Sequence, residues 1–235
     1  MTAQDHDSSS GLRHAVVTGT SSGIGRTIAE RLLADGWRVT GIDRAASVLS
    51  HEHFGGFEAD LAEPQTLIAR LADVGAVTAL VHAAGYMRVG RLGELQAQSS
   101  EGMWRVHVGA AEALANALAP RLREGGRIVL IGSRTANGAA GRSQYAATKA
   151  ALTGLARSWA IELAPRQVTV NVIAPAATDT PFLRDPSRAG TAPVLPPMGR
   201  YVDPGEVAAL TAFLLSPEAA AITGQTITIC AGASL

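Results

Sequence analysis

The sequence predicts one doubly wound α/β domain, in which a parallel sheet of about seven strands carries helices on both faces. Three observations support this prediction. Short apolar runs alternate with helix-type stretches along the whole chain. A glycine-rich turn separates the first strand from the first helix. The chain has 235 residues, enough for a large core, and shows neither an internal repeat nor a linker that would divide it.

The strands follow from β-branched and aliphatic runs bounded by turn residues. They are predicted at 14–18, 37–43, 56–60, 77–81, 127–132, 168–173 and 226–230. The helices follow from amphipathic or alanine-rich stretches between those runs. They are predicted at 24–34, from Pro64 to about 73, at 104–122 with the glycine pair 125–126 as its terminator, at 144–163 and at 204–215.

Two segments depart from this alternation. Residues 1–12 are polar and predict a flexible tail before a domain over 13–235. Residues 176–203 contain five prolines, too many for a continuous helix. Long loops of this kind are functional lids or disordered segments, and apolar residues such as Phe182 and Leu195 favour a lid over the substrate.

The composition excludes several classes of protein. Twenty acidic and twenty basic side chains leave no net charge, so nothing predicts nucleic acid or an anionic membrane as partner. The single cysteine, Cys230, cannot form an internal disulfide, which favours a reducing compartment. The sequence shows no signal-peptide pattern, no apolar run long enough to span a membrane and no metal-ligand spacing. We therefore expect a cytoplasmic protein without a metal.

The run from Thr18 to Gly25 predicts a phosphate-binding turn. Glycines let the backbone turn tightly and approach a pyrophosphate, which the positive end of the following helix stabilises. An ordinary glycine-rich turn is the alternative, but the position between a strand and a helix favours dinucleotide binding. The candidate contacts are Gly19, Ser21, Ser22, Gly23, Ile24 and Gly25.

The end of the second predicted strand bears on the choice of cofactor. A carboxylate at Asp43 can accept hydrogen bonds from ribose hydroxyls and would repel a 2′-phosphate, which favours NAD. Arg44 follows it and could pair with a 2′-phosphate, so NADP stays the alternative.

A catalytic set is predicted at the start of the long helix 144–163. The spacing of Tyr145 and Lys149 places the phenol and the ammonium on one helix face. A nearby cation stabilises a phenolate, which suits tyrosine to acid–base work near neutral pH. Ser133 lies at the carboxyl end of a predicted strand, where parallel sheets place their ligands.

These motifs, Thr-Gly-x-x-x-Gly-x-Gly and Ser…Tyr-x-x-x-Lys, resemble those of the short-chain dehydrogenase/reductase family in their order, from about Arg13 to Gly232. The resemblance implies a Rossmann-like fold. It also implies that Tyr145 moves the substrate proton, that Lys149 lowers the pKa of Tyr145 and holds the nicotinamide ribose, and that Ser133 orients the substrate. Hydride transfer is the chemistry of the cofactor.

The resemblance implies further cofactor contacts at the adenosine and nicotinamide ends of the site. They are Asp60, Leu61, Ala83, Ala84, Gly85, Pro175, Ala176, Thr178 and Thr180. Four positions depart from the family pattern: His82, Ala83 and His107 stand where the family has asparagine, and Ala176 where it has glycine. We hypothesise that His107 takes part in a proton relay, with a core histidine as the alternative.

The sequence thus predicts an oxidoreductase that transfers hydride between NAD(H) and a secondary alcohol or ketone. An NADPH-dependent carbonyl reductase of the 3-oxoacyl type is one alternative, and a non-catalytic nucleotide-sensing protein is another. The substrate is expected near Tyr86, Met87, Arg134 and Arg142, where the arginines would suit an anionic or polyol substrate unless they are merely exposed. The two long helices, 104–122 and 144–163, resemble those through which the family forms dimers and tetramers, and their alanine-rich faces would permit close approach, so we expect a homo-oligomer.

Overall fold

The computed structural model describes residues 11–185 and 194–235. The strands in these ranges are β1 (His14–Thr18), β2 (Arg38–Asp43), β3 (Phe54–Glu58), β4 (Val77–His82), β5 (Leu122–Ile131), β6 (Thr169–Pro175) and β7 (Thr226–Ile229). The α-helices are α1 (Gly23–Ala34), α2 (Pro64–Leu71), α3 (Ala97–Trp104), α4 (Ala110–Leu118), α5 (Ser143–Leu163) and α6 (Pro204–Leu214). A π-helical turn, Arg105–Gly109, joins α3 to α4.

The strands form one parallel sheet in the order β3-β2-β1-β4-β5-β6-β7, so the predicted doubly wound α/β fold is confirmed. The chain moves outward from β1 to β3 and then returns to place β4 on the other side of β1. Ligands of such sheets bind outside the carboxyl ends of the strands at this reversal. At that edge, Thr18 of β1 lies in register with His82 of β4.

The two faces of the sheet carry separate apolar cores. On one face the core includes Leu67 of α2, Leu114 of α4 and Leu152 of α5, each fully buried. On the other face it includes Ile28 of α1 and Val207 of α6. Burial on both sides explains why the central strands read as nearly continuous apolar runs.

The third strand lies two residues earlier than predicted, at 54–58 rather than 56–60. Its pairing with β2 begins where Phe54 stands opposite Val39. The Phe54 ring packs against Gly41, where an added Cβ would lie 2.7 Å from Cζ of that ring. The strand thus begins at Phe54, ahead of the glycine pair 55–56 at which the sequence predicted its start.

The prediction of one helix over 104–122 was wrong at its start and in its terminator. Helical structure begins at Ala97, and Pro120 falls in a single 3₁₀ turn that closes it at Arg121. Proline cannot continue an α-helix, since it lacks the N–H that the helix needs. The glycine pair 125–126 does not terminate the helix but lies within β5, where the pairing with β4 shifts register between Val77 and Ala79.

Parts of the predicted tail and lid fall outside the described residues. These parts are residues 1–10 of the tail and 186–193 of the lid. On either side of the second range, Thr178 forms an isolated bridge with Val202, and Pro181–Arg184 form a 3₁₀ turn. No helix within 11–185 or 194–235 is long and apolar enough to cross a membrane.

Candidate active site

A cavity of about 620 Å³ opens at the carboxyl ends of the central strands. Its size is typical of a small-molecule or cofactor site. Most of the predicted cofactor and catalytic residues line it: Gly19, Ser22, Gly23, Ile24, Gly25, Asp43, Arg44, Asp60, Leu61, Ala83, Ala84, Gly85, Ser133, Tyr145, Lys149, Pro175, Ala176, Thr178 and Thr180. Two predicted residues, Ser21 and His107, do not line it.

The glycine turn has the geometry of an anion cradle. Gly19 and Gly23 adopt φ angles of 79° and 55°, which side chains other than glycine rarely adopt. A Cβ at Gly25 would lie 2.3 Å from the carbonyl oxygen of Gly19, so only glycine fits there. No described side chain caps the N-terminus of α1 at Ser22. The free N–H groups of its first turn are therefore available to a pyrophosphate, and the turn fits a dinucleotide.

Asp43 is held in place at the end of β2. Its carboxylate accepts hydrogen bonds from the backbone N–H groups of Ser21, at 3.0 Å, and Ala45, at 3.2 Å. Ser21 thus helps to hold Asp43 in place. Arg44, Asp60 and the buried Leu61 line the same end of the cavity, Asp60 standing two residues beyond the end of β3.

Ser133, Tyr145 and Lys149 line the cavity beside the glycine turn. Ser133 follows β5 and caps the next turn by accepting a hydrogen bond from the Thr135 N–H. Tyr145 and Lys149 are 6% and 4% exposed, and the Lys149 ammonium lies 5.9 Å from the centre of the Tyr145 ring. Lys149 donates a hydrogen bond to the Ile131 carbonyl at 2.8 Å. Burial lowers the pKa of Lys149 to about 7.

The loop after β6 closes the other side of the cavity. The Thr178 hydroxyl donates to the Ala176 carbonyl, and the Thr180 hydroxyl donates to the Thr178 carbonyl. Thr180 packs against the glycine turn, since a Cβ at Gly23 would lie 3.4 Å from Cβ of Thr180. The loop and the turn therefore form one continuous wall.

His82 organises the floor of the site, a role that sequence reasoning missed. Its Nε2–H donates to the Val106 carbonyl at 3.0 Å, and its Nδ1 accepts from the Thr18 hydroxyl at 3.0 Å. The Thr18 oxygen in turn accepts from the N–H groups of Ala83 and Ala84. Burial, followed by the charge of Lys149, lowers the pKa of His82 to about 3, so this histidine is neutral.

His107 lies in the π-helical turn and is fully buried. Its Nε2 accepts from the Tyr86 N–H at 3.1 Å, and its Nδ1–H donates to the Thr148 hydroxyl at 2.8 Å. The Thr148 hydroxyl donates onward to the Tyr145 carbonyl. With both ring nitrogens engaged by the protein, this geometry favours the core histidine, and the relay through His107 stays a prediction.

Replacing His107 with asparagine is expected to leave the midpoint of the pH–rate profile unchanged. Burial, then the charges of Lys149 and His82, lower the pKa of His107 well below its usual range. Because its pKa is lowered in this way, His107 stays neutral where an ordinary histidine would titrate and should not set that midpoint. The expected cost is about 1 kcal/mol of unfolding free energy for the lost hydrogen bond. Rates across pH and urea unfolding measure both quantities, with the exposed His51→Asn as control. A shifted midpoint would support the relay.

The substrate end of the cavity combines apolar and basic groups. Tyr145, Met87 and Met103 form a buried cluster, against which Tyr86 and Phe182 pack. The predicted substrate neighbours Tyr86, Met87, Arg134 and Arg142 all line the cavity. In residues 11–185 and 194–235, no cluster of histidine, cysteine or carboxylate side chains could hold a metal ion.

The sheet is doubly wound, and one cavity at its edge combines a glycine turn for a dinucleotide with Ser133, Tyr145 and Lys149. This combination is that of a nicotinamide-dependent oxidoreductase. Residues 19–234 match the family model described as Enoyl-(Acyl carrier protein) reductase. The chain is 35% identical to the 3-oxoacyl-(acyl-carrier-protein) reductase FabG of Vibrio cholerae, over 93% of this chain and 96% of that protein. The chain therefore belongs to the short-chain dehydrogenase/reductase family and is an NAD(P)-dependent oxidoreductase.

Solved structures agree with this assignment. A short-chain dehydrogenase of Burkholderia cenocepacia in complex with NADP is 35% identical, with a TM-score of 0.82 over 95% of this chain and 98% of that one. A 3-ketoacyl-(acyl-carrier-protein) reductase of Brucella melitensis complexed with NADH is 27% identical, with a TM-score of 0.84 over 95% and 98%. These structures support a nicotinamide dinucleotide without distinguishing its two forms.

Proposed function

We propose that the protein transfers hydride between NAD(H) and a secondary alcohol or ketone. The observation that carries this proposal is the meeting of Ser133, Tyr145 and Lys149 with the glycine cradle in one cavity. A dinucleotide held at the cradle would supply hydride chemistry at its nicotinamide ring. The protein contributes binding, orientation and the movement of a proton.

Each catalytic residue has a distinct proposed role. The Ser133 hydroxyl donates a hydrogen bond to the substrate oxygen and fixes its position. The Tyr145 phenol gives its proton to that oxygen in reduction, and its phenolate takes the proton in oxidation. Lys149, held by the Ile131 carbonyl, places a cation that stabilises the phenolate. Burial of Tyr145 and Lys149 excludes water, which strengthens these interactions.

The test is an assay panel of polyols, sugars, hydroxy acids and cyclic alcohols, with the corresponding ketones, followed by nicotinamide absorbance. Turnover of a secondary alcohol or a ketone is the expected result. Binding of the dinucleotide with no turnover across the panel would instead favour a nucleotide-sensing protein. The intact set of Ser133, Tyr145 and Lys149 in the cavity speaks against that alternative.

NAD(H) is the proposed cofactor because Asp43 is anchored by two backbone donors at the adenosine end of the cavity. Its negative charge would repel a 2′-phosphate. One observation favours the second candidate, an NADPH-dependent carbonyl reductase of the 3-oxoacyl type: Arg44 lines the same end. The FabG relative, named a 3-oxoacyl-(acyl-carrier-protein) reductase, is consistent with this candidate.

Neutralising Asp43 is expected to move cofactor preference toward NADPH. In Asp43→Asn, the ratio of the Kd values for NADPH and NADH should fall about tenfold, equivalent to about 1.4 kcal/mol, because the repulsion is lost while the side chain keeps its size. Arg44→Gln should move the ratio the other way. Calorimetric titration with each dinucleotide measures both ratios. Tighter binding of NADPH by the wild-type protein would overturn the choice of NAD.

We also propose that the protein is a homo-oligomer, a dimer or tetramer, and retain cytoplasmic location as a prediction. Support for association comes from apolar side chains exposed on or beside the long helices, among them Trp104, which is 47% exposed, and Ile161, which is 77% exposed. Exposed apolar groups of this size often mark contacts between subunits.

A further inference from the structure

Two arginines flank the proposed catalytic residues within the cavity. Arg134 follows Ser133 directly and opens the 3₁₀ turn Arg134–Asn137. Arg142 precedes α5 and stands three residues before Tyr145. Both arginines line the cavity together with Ser133 and Tyr145. Each arginine is therefore close along the chain to a residue that would contact the reacting oxygen: Arg134 to Ser133, and Arg142 to Tyr145.

The arginines are not simply solvent-exposed charges. Both are half-buried, and the Arg134 Nε atom is buried with no hydrogen-bond partner among the residues that the structure describes. A buried donor without a partner is costly, and because Arg134 lines the cavity, a ligand bound there would supply the missing partner. Burial, and after it the positive charge of Arg134, lowers the pKa of Arg142.

Charge is distributed unequally along the cavity. The acidic side chains lining its described part are Asp43 and Asp60, both at the adenosine end. Arg134 and Arg142 lie at the opposite end, beside Ser133 and Tyr145, away from Arg44 and the position of a 2′-phosphate. An anion bound by these two guanidinium groups would balance their positive charge and give the buried Arg134 donor a partner.

We propose that Arg134 and Arg142 bind an anionic group of the substrate, a carboxylate or a phosphate ester, while Tyr145 acts on the neighbouring carbonyl or alcohol. This inference rests on the proposed function and narrows its substrate class to oxo acids, hydroxy acids and their phosphorylated equivalents. In oxidation the Tyr145 phenolate takes the proton of the substrate hydroxyl, and a bound oxidised nicotinamide would accept the hydride from the substrate C–H bond. The anionic substituent is unchanged and serves to hold the substrate.

The apolar cluster beside the arginines fits such a substrate. Met87 and Phe182 line the cavity and offer no charge to the carbon chain between the reacting carbon and the anion. Arginine binds carboxylate and phosphate oxygens through paired N–H groups, which fixes orientation as well as position. The arginines would therefore determine which face of the carbonyl meets the nicotinamide.

The experiment compares matched substrates that differ only in charge. Short 2- and 3-oxo acids are assayed against their methyl esters, and hydroxyacetone phosphate against hydroxyacetone, with NADH and NADPH. The wild-type enzyme should prefer the anion by about tenfold to a hundredfold in kcat/KM, the effect of one hydrogen bond to a charged group. Arg134→Gln and Arg142→Gln should each remove most of that preference, mainly through KM.

Conservative and distant variants control the test. Arg134→Lys keeps the charge and should retain part of the preference. Arg31→Gln, on the exposed face of α1, should leave it intact. If circular dichroism shows that Arg134→Gln does not fold, the substrate preferences of Arg142→Gln and Arg134→Lys test the inference instead. Preference for the phosphate over the carboxylate would support the anion site with phosphate as its ligand. Equal kcat/KM for each anion and its neutral partner would overturn the inference.

A binding measurement separates this inference from the proposed function. Oxalate and its neutral analogue oxamide are titrated calorimetrically into the protein loaded with a nicotinamide dinucleotide. Tighter binding of oxalate than of oxamide, abolished by Arg134→Gln, would support the anion site. If no substrate turned over in the same preparation, the proposed hydride transfer would be refuted and the anion site would stand. Equal binding of oxalate and oxamide would count against the anion site whatever the turnover.

Discussion

Replacing Tyr145 with phenylalanine is expected to lower kcat/KM by about a hundredfold to ten-thousandfold, the range for loss of a general acid or base. The change removes one oxygen from a buried side chain and leaves the ring that packs on Met87 and Met103. The Kd for the dinucleotide should change little, because the glycine cradle is untouched. Steady-state rates and calorimetric titration of the same preparation measure the two effects.

Tyr201→Phe provides the matched control, since Tyr201 does not line the cavity. It loses the same hydroxyl and should retain wild-type kcat/KM. Equal rates for Tyr145→Phe and the wild-type protein would rule out acid–base catalysis by this phenol. The proposed roles of Lys149 and Ser133, which depend on it, would then fall as well.

Replacing Gly25 with alanine is expected to abolish tight dinucleotide binding. An added Cβ would lie 2.3 Å from the Gly19 carbonyl oxygen and 2.7 Å from the Thr18 carbonyl oxygen. Both obstacles are backbone atoms, so the turn itself has to move. We expect the Kd to rise by at least about tenfold and the unfolding free energy to fall by about 1–3 kcal/mol, as for other overpacked sites.

Calorimetric titration and urea unfolding measure these changes in Gly25→Ala. Gly75→Ala is the control, because a Cβ at Gly75 would meet nothing within 4 Å. That variant should bind the dinucleotide normally and lose no stability. If Gly25→Ala bound the dinucleotide as tightly as the wild type, the turn would have adapted to the added Cβ. The hypothesis that glycine is needed there for the backbone to approach the pyrophosphate would then be wrong.

Most residues of the candidate site could be predicted from short patterns in the sequence. The glycine turn after β1 and the spacing of Tyr145 and Lys149 each lie within a few residues of the chain, and each demands a particular residue type for a physical reason. Strand and helix alternation likewise predicted the doubly wound sheet. The positions that line the cavity follow from these patterns because parallel strands bring their carboxyl ends to one edge.

What the sequence could not show depends on contacts between distant segments. The hydrogen bond between Thr18 and His82 joins residues 64 positions apart. Nothing in the local pattern marks it, although placing β1 beside β4 in register would have brought the two together. Ser21 illustrates the same limit. Its place in the glycine turn predicts contact with a ligand, but nothing in that local pattern predicts the hydrogen bond from its N–H to Asp43.

The number of residues in the π-helical turn Arg105–Gly109 matters for the site. Its hydrogen bonds span one residue more than those of an α-helix. Through this turn Val106 contacts His82 and the adjacent His107 contacts Tyr86. A single deletion within 105–109 would remove that extra residue and with it the placement of Val106 against His82 and of His107 against Tyr86, so the number of residues in this turn constrains the active site as well as their identity.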